Sequence, residues 1–193
     1  MSKKYEFTGE TKNYFGLTLY RIRAAVKIEL GWKTVEIGEL GGWIEKETNL
    51  SHVGDAWVYG DAKVYGDAKV CGNAEVYGDA WVYGDAKVYG DAEVYGNAKV
   101  YGNAKVCGDA EVCGDAEVMR IEHYMTFGPA GSRKSFTTFY RNKNKEISVR
   151  CGCFNGTIDE FVKQVEKTHG DSKHAKVYKL AVELAKEHID LED

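Results

Sequence analysis

Long apolar runs and an excess of charge of one sign are both missing from this sequence. No stretch approaches the roughly 18 consecutive apolar residues of a membrane span, and Met1-Ser-Lys-Lys is followed by polar and aromatic residues rather than by an apolar signal core. The net charge is -4, which is too small to indicate a nucleic acid polymer or an anionic membrane as an obligatory partner. We therefore expect a cytoplasmic protein that binds neither membranes nor nucleic acid polymers.

Proline and cysteine are scarce. One proline in 193 residues, together with 44% apolar and 29% charged residues, is the composition of a folded soluble protein and not of a disordered one. The five cysteines are an odd number, and three of them (Cys71, Cys107 and Cys113) occupy one slot of a repeat. A disulfide framework is therefore not indicated, and we expect reduced thiols.

What the sequence has instead is a hexapeptide, Gly-(Asp/Asn)-Ala-x-Val-(Tyr/Cys/Met), which occurs eleven times without interruption from Gly54 to Met119. Alanine and valine two residues apart point to the same side of a strand, and Gly with Asp or Asn favours a tight corner. A helix would need apolar spacings of three and four residues. So short a strand is stable only when it stacks on copies of itself.

This repeat resembles the left-handed parallel β-helix of hexapeptide-repeat proteins, in which three hexapeptides form one triangular coil. Eleven repeats then make about 3.7 coils and a prism roughly 18 Å tall. The glycine stands two residues after the aliphatic residue, whereas in many such enzymes it follows directly. The fold class predicted is mainly β, with a β cap over residues 1–49, the β-helix over 50–119 and an α+β module over 120–193.

Residues eighteen apart should stack, so that each face of the prism carries one row of outward side chains. One row is basic, with Lys69, Lys87 and Lys105; a second is mostly acidic, with Trp57, Glu75, Glu93 and Glu111; a third is mixed, with Lys63, Trp81, Lys99 and Glu117. Tyrosine ladders accompany the acidic row (Tyr59, Tyr77 and Tyr95) and the mixed row (Tyr65, Tyr83 and Tyr101). Such ladders either mark a self-association surface or only stabilise the sheet. We expect a homo-oligomer, a trimer, with the ladders and the lysine row at its interface.

Open ends of a β-helix expose unpaired strand edges, so both flanks are expected to act as covers. Residues 4–37 contain four alternating stretches separated by glycines, which is typical of small β structures. Trp43 is expected to pack on the bottom coil, with Leu50 in the alanine register.

After Met119 the pattern predicts three strands and two helices. The strands are expected near 120–127, 134–141 and 146–153. The first helix is expected from a capping box at Thr157 to His169, and the second from about Ser172 to His188 with Val177, Leu180, Ala181 and Leu184 on its packed face. Cys151 and Cys153 would alternate on one strand face, where we expect burial rather than metal binding.

The Leu-Gly-Gly-Trp-Ile segment before the repeat and the Gly-Pro-x-Gly-Ser-Arg and Cys-Gly-Cys-Phe segments after it resemble hexapeptide-repeat proteins of bacteriophages and prophages. This resemblance implies a bacterial or phage-infected cell and a role in countering host defence.

Catalysis on the prism would require a histidine base and, for acyl transfer, a loop to hold the donor. The eleven repeats contain neither; His52 precedes them and His123 follows. Three converging histidines for a zinc site are also missing. The corner Asp residues interchange with Asn, as turn bonding requires, so calcium is not expected. We expect no cofactor, no metal and no catalytic residue.

The most suggestive segment is the glycine-rich stretch from Gly128 to Ser135. It is not a Walker loop, because Arg133 replaces the required glycine and a strand follows. Its amides, the Ser132 hydroxyl and the Arg133 guanidinium are suited to an anion. Residues 120–150 hold seven cations against two carboxylates. The predicted ligand-binding residues are Gly128, Gly131, Ser132, Arg133, Lys134, Arg141 and Arg150; the alternative is an ordinary turn with solvated charges.

The sequence thus predicts a non-catalytic oligomeric protein whose C-terminal module binds or sequesters a small anionic, nucleotide-like ligand. Two alternatives stay open: a structural or protein-interaction scaffold, and a hexapeptide-repeat acyltransferase suggested by the fold alone.

Overall fold

The computed structural model describes residues 3–192 and contains a parallel β-solenoid of about four turns. Before and within the first coil lie β1 (Tyr5–Tyr14), β2 (Leu17–Ala24), β3 (Ile28–Glu29), β4 (Thr34–Val35) and β5 (Leu40–Ile44). The repeats form β6 (Trp57–Val58), β7 (Lys63–Val64), β8 (Lys69–Val70), β9 (Glu75–Val76), β10 (Trp81–Val82), β11 (Lys87–Val88), β12 (Glu93–Val94), β13 (Lys99–Val100), β14 (Lys105–Val106), β15 (Glu111–Val112) and β16 (Glu117–Val118). The C-terminal module comprises β17 (Tyr124–Ala130), β18 (Ser135–Arg141), β19 (Ile147–Cys151), β20 (Phe154–Thr157), α1 (Ile158–His169) and α2 (Lys173–His188).

Each hexapeptide contributes one two-residue strand, and strands three repeats apart pair in parallel on three faces. The predicted rows are confirmed: Lys87 pairs with Lys69 and Lys105, and Glu93 pairs with Glu75 and Glu111. The alanines and valines of the repeats fill the interior, and none is more than 1% exposed. Fold class and stacking period therefore follow from the alternation of the repeat.

The glycine of each repeat forms the corner with a positive φ, for example +69° at Gly84. A β-carbon on Gly84 would lie 3.1 Å from the amide nitrogen of Gly102 in the next coil. The corner thus excludes a side chain both by its backbone conformation and by the close approach of the coil above. This accounts for glycine two residues after the valine.

The first coil begins earlier than expected and has a longer corner. β5 lies within the predicted cap yet pairs with β7, and the β1–β2 hairpin extends that sheet through β2. Leu50 pairs with Val70, so its predicted alanine register is wrong. Five residues, 51–55, separate Leu50 from Ala56, where the repeats have three between valine and alanine.

The lower end of the solenoid needs hydrogen-bond donors, because the amides of each coil donate to the carbonyls of the coil that follows it in sequence, as from Lys63 N to Ala80 O at 2.9 Å. Carbonyls of the first coil are therefore unpaired. Lys4 Nζ donates to the Ala56 carbonyl at 2.6 Å, and Tyr5 Oη donates to the Leu50 carbonyl at 3.1 Å. In the second coil, the Asn49 side chain donates to the Ala68 carbonyl at 2.9 Å. The N-terminal segment caps this edge as predicted.

The upper end needs acceptors, and the C-terminal module supplies them. Thr138 Oγ1 accepts from the Glu111 amide at 3.0 Å, and His123 Nδ1 accepts from the Met119 amide at 3.2 Å. One face of the β17–β20 sheet lies on the last coil, where the Tyr140 hydroxyl contacts Cys113 Sγ at 3.2 Å. The other face, which includes Phe139 and Val149, packs against α1 and α2.

Helix α1 agrees with its prediction, since Thr157 accepts from the Glu160 amide in a capping box and Phe161 and Val165 are buried. The predicted packed face of α2 is wrong for Leu180 and Leu184, whereas Ala181 is buried as predicted. Leu180 and Leu184 are 72% and 55% exposed, and α2 packs instead through a face of small residues and one ring: Ala175, Tyr178, Ala181, Val182 and Ala185.

The predicted third strand of the module is two strands. Gly152, with φ +56°, breaks the segment after Cys151, so β19 turns into β20, which pairs with it in antiparallel fashion. Cys153 lies in the turn and is exposed, whereas Cys151 is half-buried. The expectation that both thiols are buried is wrong.

Candidate functional site

The glycine-rich segment forms a hairpin turn at one end of the module's sheet. β17 ends at Ala130 and β18 begins at Ser135, so the turn consists of residues 131–134. The second antiparallel turn, between β19 and β20, lies at the same end, because Thr137 pairs with Cys151. The two turns are therefore neighbours: a β-carbon on Gly152 would lie 3.9 Å from Arg133 Nη1.

A cleft of about 250 Å³ opens between these two turns and the helices. Ser132 and Arg133 line one side, and Cys151 and Cys153 line the adjacent turn. The remaining walls come from the C-terminal half of α1 and from aromatic rings: Phe154, Phe161, Gln164, Val165, Thr168, His169 and Tyr178. We call this space the C-terminal cleft.

The aromatic floor of the C-terminal cleft is closely packed. Phe161 and Tyr178 are 3% and 6% exposed and meet edge to face with ring centroids 5.5 Å apart. Burial raises the pKa of Tyr178 to about 12, with a further contribution from Cys151, so its hydroxyl stays protonated at neutral pH. The floor is therefore apolar and uncharged at neutral pH, and the half-buried Phe154 is more accessible than either of these rings.

The guanidinium of Arg133 lies at the rim of the C-terminal cleft. Among residues 3–192, no ion pair or side-chain hydrogen bond engages Arg133, which is exposed. The α1 helix ends at this cleft with His169, and a helix C-terminus carries partial negative charge. An anion would therefore be favoured beside Arg133 and disfavoured beside the end of α1.

Of the predicted ligand-binding residues, only Ser132 and Arg133 line the C-terminal cleft. Gly131 packs against the Tyr178 hydroxyl, which fills the space a side chain would need. Gly128 lies within β17. Lys134 is exposed with φ +50°. The turn thus contributes two side chains and a close backbone contact.

Arg141 and Arg150 do not reach the cleft, contrary to the expectation that one of them completes it. Arg141 ends the seven-residue strand β18, about 20 Å from the turn at normal strand rise, where its Nε donates to the Leu191 carbonyl at 3.4 Å. Arg150 is at the correct end of the sheet but on the opposite face, and its Nε donates to Glu111 Oε2 at 2.7 Å. It fastens the module to the solenoid.

Four residues of the cleft were not predicted to bind a ligand: Cys153, Phe154, His169 and Tyr178. One signal could have found the first two: in a meander of antiparallel strands, alternate turns lie at the same end. The helix residues could not be placed without knowing which face of each helix packs on the sheet.

The tyrosine ladders predicted for the oligomer interface are present as stacks within the chain. Ring centroids of Tyr77 and Tyr95 are 4.8 Å apart with planes at 2°, and those of Tyr65 and Tyr83 are 5.0 Å apart at 3°. Tyr59, Tyr77 and Tyr95 each donate a hydrogen bond to a carboxylate of the acidic row, at 3.0, 2.7 and 3.2 Å. The ladders thus have a structural use inside one chain.

The three faces of the solenoid differ in what covers them. Trp32 donates to Glu75 over the acidic row, and Tyr14 lies against Trp81, with ring centroids 5.2 Å apart, over the mixed row. Lys69, Lys87 and Lys105 are all exposed. The lysine row is therefore an open face.

Both histidines that flank the repeats are held by neighbouring groups. His52 stacks on Tyr5 with ring centroids 4.4 Å apart and accepts from the Lys4 amide. His123 is buried in the upper cap, where burial and the nearby Arg141 and Arg120 lower its pKa. Within the described part of the chain, no three His, Cys, Asp or Glu side chains are grouped to hold a metal ion.

No family model matches the chain, and a search of curated proteins found no similar sequence. None of the helices described between residues 3 and 192 is both long and apolar enough to cross a membrane.

Proposed function

We propose that this chain is a non-catalytic binding protein whose C-terminal cleft takes a small anionic ligand of nucleotide type. One observation carries the proposal: an unpaired guanidinium, that of Arg133, stands at the rim of a cleft floored by aromatic rings. A guanidinium is a forked donor suited to phosphate or carboxylate, and the half-buried ring of Phe154 is the part of the aromatic lining open to contact with a base.

The charges orient such a ligand. Its anionic group would lie beside Arg133 and the Ser132 hydroxyl, and its neutral or donor-bearing part would lie toward Thr168 and His169, near the negative end of α1. The volume of about 250 Å³ is below the range of roughly 300–1,000 Å³ for drug-sized ligands. We therefore expect a mononucleotide with one part inserted rather than a dinucleotide enclosed whole.

A biological setting follows from the resemblance to phage and prophage hexapeptide-repeat proteins. In an infected bacterial cell, a protein that binds a signalling nucleotide without converting it would lower the free concentration of that signal. We propose this sequestration as the counter-defence role.

Calorimetric titration tests the proposal. Wild-type protein titrated with mononucleotides, cyclic nucleotides and inorganic phosphate should bind at least one nucleotide more tightly than phosphate alone, because the rings contribute only with a base. Arg133→Ala should weaken that binding about ten- to hundredfold, the worth of a charge-assisted hydrogen bond.

Lys134→Ala is the matched control. It removes a cation from the same turn but not from the cleft lining, and an exposed cation contributes little. An equal loss of nucleotide affinity in Arg133→Ala and Lys134→Ala would mean that the turn acts only through its overall charge. If no nucleotide binds wild type below millimolar concentration, the proposal fails.

We also propose self-association of the solenoid, expected as a trimer, with the tyrosine ladders and the lysine row at its interface. The open lysine face supports it. A contact between that face and the acidic row of a neighbour is disfavoured, because Glu75 is 5% exposed and Glu111 is paired with Arg150. Light scattering at micromolar concentration should give a mass above that of the monomer, and changing the three lysines to glutamate should reduce it.

A second candidate function, protein docking, is favoured by the apolar outer stripe of α2, where Leu180 and Leu184 are exposed. Exposed leucines in adjacent turns are characteristic of helices that meet another protein. If nucleotide binding fails while Leu180→Ser with Leu184→Ser abolishes a protein contact in solution, docking is the function of the module.

A further inference from the structure

We infer that Cys151 and Cys153 form a thiol–disulfide exchange site in the C-terminal cleft, selective for small anionic disulfides such as glutathione disulfide. The inference shares the cleft with the proposed function but does not depend on nucleotide binding. It rests on three observations: both thiols line one cleft, their environments differ, and a guanidinium stands beside the turn that joins them.

The two thiols differ in access. Cys153 is exposed in the β19–β20 turn, and Cys151 is half-buried at the end of β19. Cys151 Sγ accepts a hydrogen bond from Thr137 Oγ1 at 3.1 Å and lies 3.9 Å from Tyr178 Oη. An incoming disulfide therefore meets Cys153 first, while Cys151 is held in place as the second thiol.

The distance expected between the Cα atoms of Cys151 and Cys153 suits a disulfide. Residues two apart have Cα atoms about 5 to 7 Å from each other, and disulfides need about 4.4–6.8 Å. Gly152 between them has φ +56°, a turn conformation that brings its two neighbours toward the shorter part of that range. Among the cysteines described, no other two are neighbours in one turn.

Arg133 provides selectivity. Its Nη1 lies 3.9 Å from the β-carbon position of Gly152, so a disulfide that carries carboxylates is attracted to the turn, whereas a neutral disulfide is not.

The reaction balances in two exchanges. The Cys153 thiolate attacks one sulfur of the disulfide, forming a mixed disulfide and releasing one small thiolate. The Cys151 thiolate then attacks the Cys153 sulfur of the mixed disulfide, forming the Cys151–Cys153 bond and releasing the second small thiolate. The protein loses two electrons and two protons, and the small disulfide is reduced to two thiols.

The experiment incubates full-length protein with glutathione disulfide in the absence of nucleotide, quenches with acid and analyses peptides by mass spectrometry. In wild type, the peptide containing both cysteines should lose two hydrogens without retaining glutathione. Cys151→Ser should stop at glutathione bound to Cys153. Cys153→Ser should leave Cys151 largely unmodified, because that thiol is the less accessible one.

Two controls separate this site from general thiol reactivity. Cys71→Ser removes a half-buried thiol of the solenoid and should leave the reaction unchanged. Arg133→Gln should slow the reaction with glutathione disulfide by about threefold or more, the effect of one nearby cation on an anionic partner, and leave the rate with neutral bis(2-hydroxyethyl) disulfide unchanged.

The inference is overturned if the Cys151–Cys153 peptide stays reduced while Cys71 or Cys107 takes up glutathione, or if Cys151→Ser accumulates no mixed disulfide. Equal slowing of both disulfides by Arg133→Gln would overturn the selectivity. Because no nucleotide is present, failure of nucleotide binding leaves each of these results standing.

Discussion

Five ladder tyrosines should make this fold sensitive to alkaline pH. Burial, together with neighbouring carboxylates and phenols, raises the pKa of Tyr59, Tyr65, Tyr77 and Tyr95 well above the ordinary value, and it raises the pKa of Tyr83 to about 12. In the unfolded chain these groups titrate near pH 10. Their stabilising contribution is therefore complete below about pH 10 and is lost as the pH rises toward the folded pKa values.

The magnitude follows from proton linkage. Each group that is ionised in the unfolded chain but neutral in the fold lowers the free energy of unfolding by about 1.4 kcal/mol per pH unit. Five such groups together remove about 7 kcal/mol per pH unit above their unfolded pKa. Because domains are usually stable by about 5–15 kcal/mol, we expect cooperative unfolding within about two pH units above pH 10.

Tyrosinate absorbance and circular dichroism, followed together through an alkaline titration, measure this effect. The last part of the absorbance rise should coincide with the loss of the dichroism, because the ladder phenols ionise only when the solenoid opens. Full ionisation of all 13 tyrosines with the dichroism of the fold intact would show that the ladder phenols ionise inside the folded solenoid.

Two Phe variants dissect the contribution. Tyr83→Phe should reduce the pH dependence by one proton and leave stability at neutral pH unchanged, since no side-chain hydrogen bond to its hydroxyl is present among residues 3–192. Tyr77→Phe should do the same above pH 10 but lose about 1–3 kcal/mol at neutral pH. The reason is that Tyr77 Oη donates to Glu93 at 2.7 Å and burial already raises the pKa of that carboxyl.

Further outcomes follow from single contacts. Arg150→Ala should cost about 1 kcal/mol and speed amide exchange in the module's sheet, since it breaks the 2.7 Å bond to Glu111; unchanged exchange would mean that the bridge does not hold the module. Gly84→Ala and Gly108→Ala should each lower the free energy of unfolding by about 1–2 kcal/mol, because both positions have a left-handed backbone. A β-carbon at Gly108 meets nothing within 4 Å, whereas one at Gly84 would crowd the next coil. Urea unfolding should therefore show the larger loss for Gly84→Ala. Leu180→Ser should change the free energy of unfolding by no more than about 0.5 kcal/mol, because that side chain is 72% exposed. A loss of several kcal/mol would mean that Leu180 packs in the core, as the sequence predicted.

The solenoid could be predicted almost completely because its information is local and repeated. Alanine and valine in every hexapeptide define the inward side, and glycine defines the corner, so the pairing of Lys87 with Lys69 and Lys105 follows from counting. Outside the regular hexapeptides, strand register cannot be predicted from the six-residue period. Leu50 was assigned the wrong register because the corner after it is two residues longer.

The face of α2 could not be predicted from periodicity, because apolar residues stand at helical spacing on two sides. The sheet accepts the side with small residues, where Ala181 and Ala185 allow close approach and Tyr178 fills the remaining space. Leucines, which usually mark the core, lie outside.

The candidate site was predicted in part for a similar reason. The hairpin turn with Arg133 is a local feature and lies where the sequence indicates. The role of Arg150 depends on register: Thr138 pairs with Arg150, which directs both side chains to the solenoid face. Strand alternation places Arg150 and Cys151 on opposite faces of the sheet, but it does not tell which face meets the solenoid.

Eighteen-residue coils stack in parallel between the two caps. At a fixed relative orientation, the distance between the caps can therefore change only by whole coils. Loss of one complete coil, such as residues 66–83, would bring the N-terminal hairpin and the C-terminal module closer by one strand spacing, about 4.8 Å, with their relative azimuth preserved. Loss of a single hexapeptide would instead turn the module by a third of a revolution about the solenoid axis and bring a different face of the prism beneath the cleft. Gain or loss of hexapeptides would thus set both the height of the cleft above the N-terminal hairpin and its direction around the solenoid axis, while the remaining coils keep the same Ala–Val packing pattern.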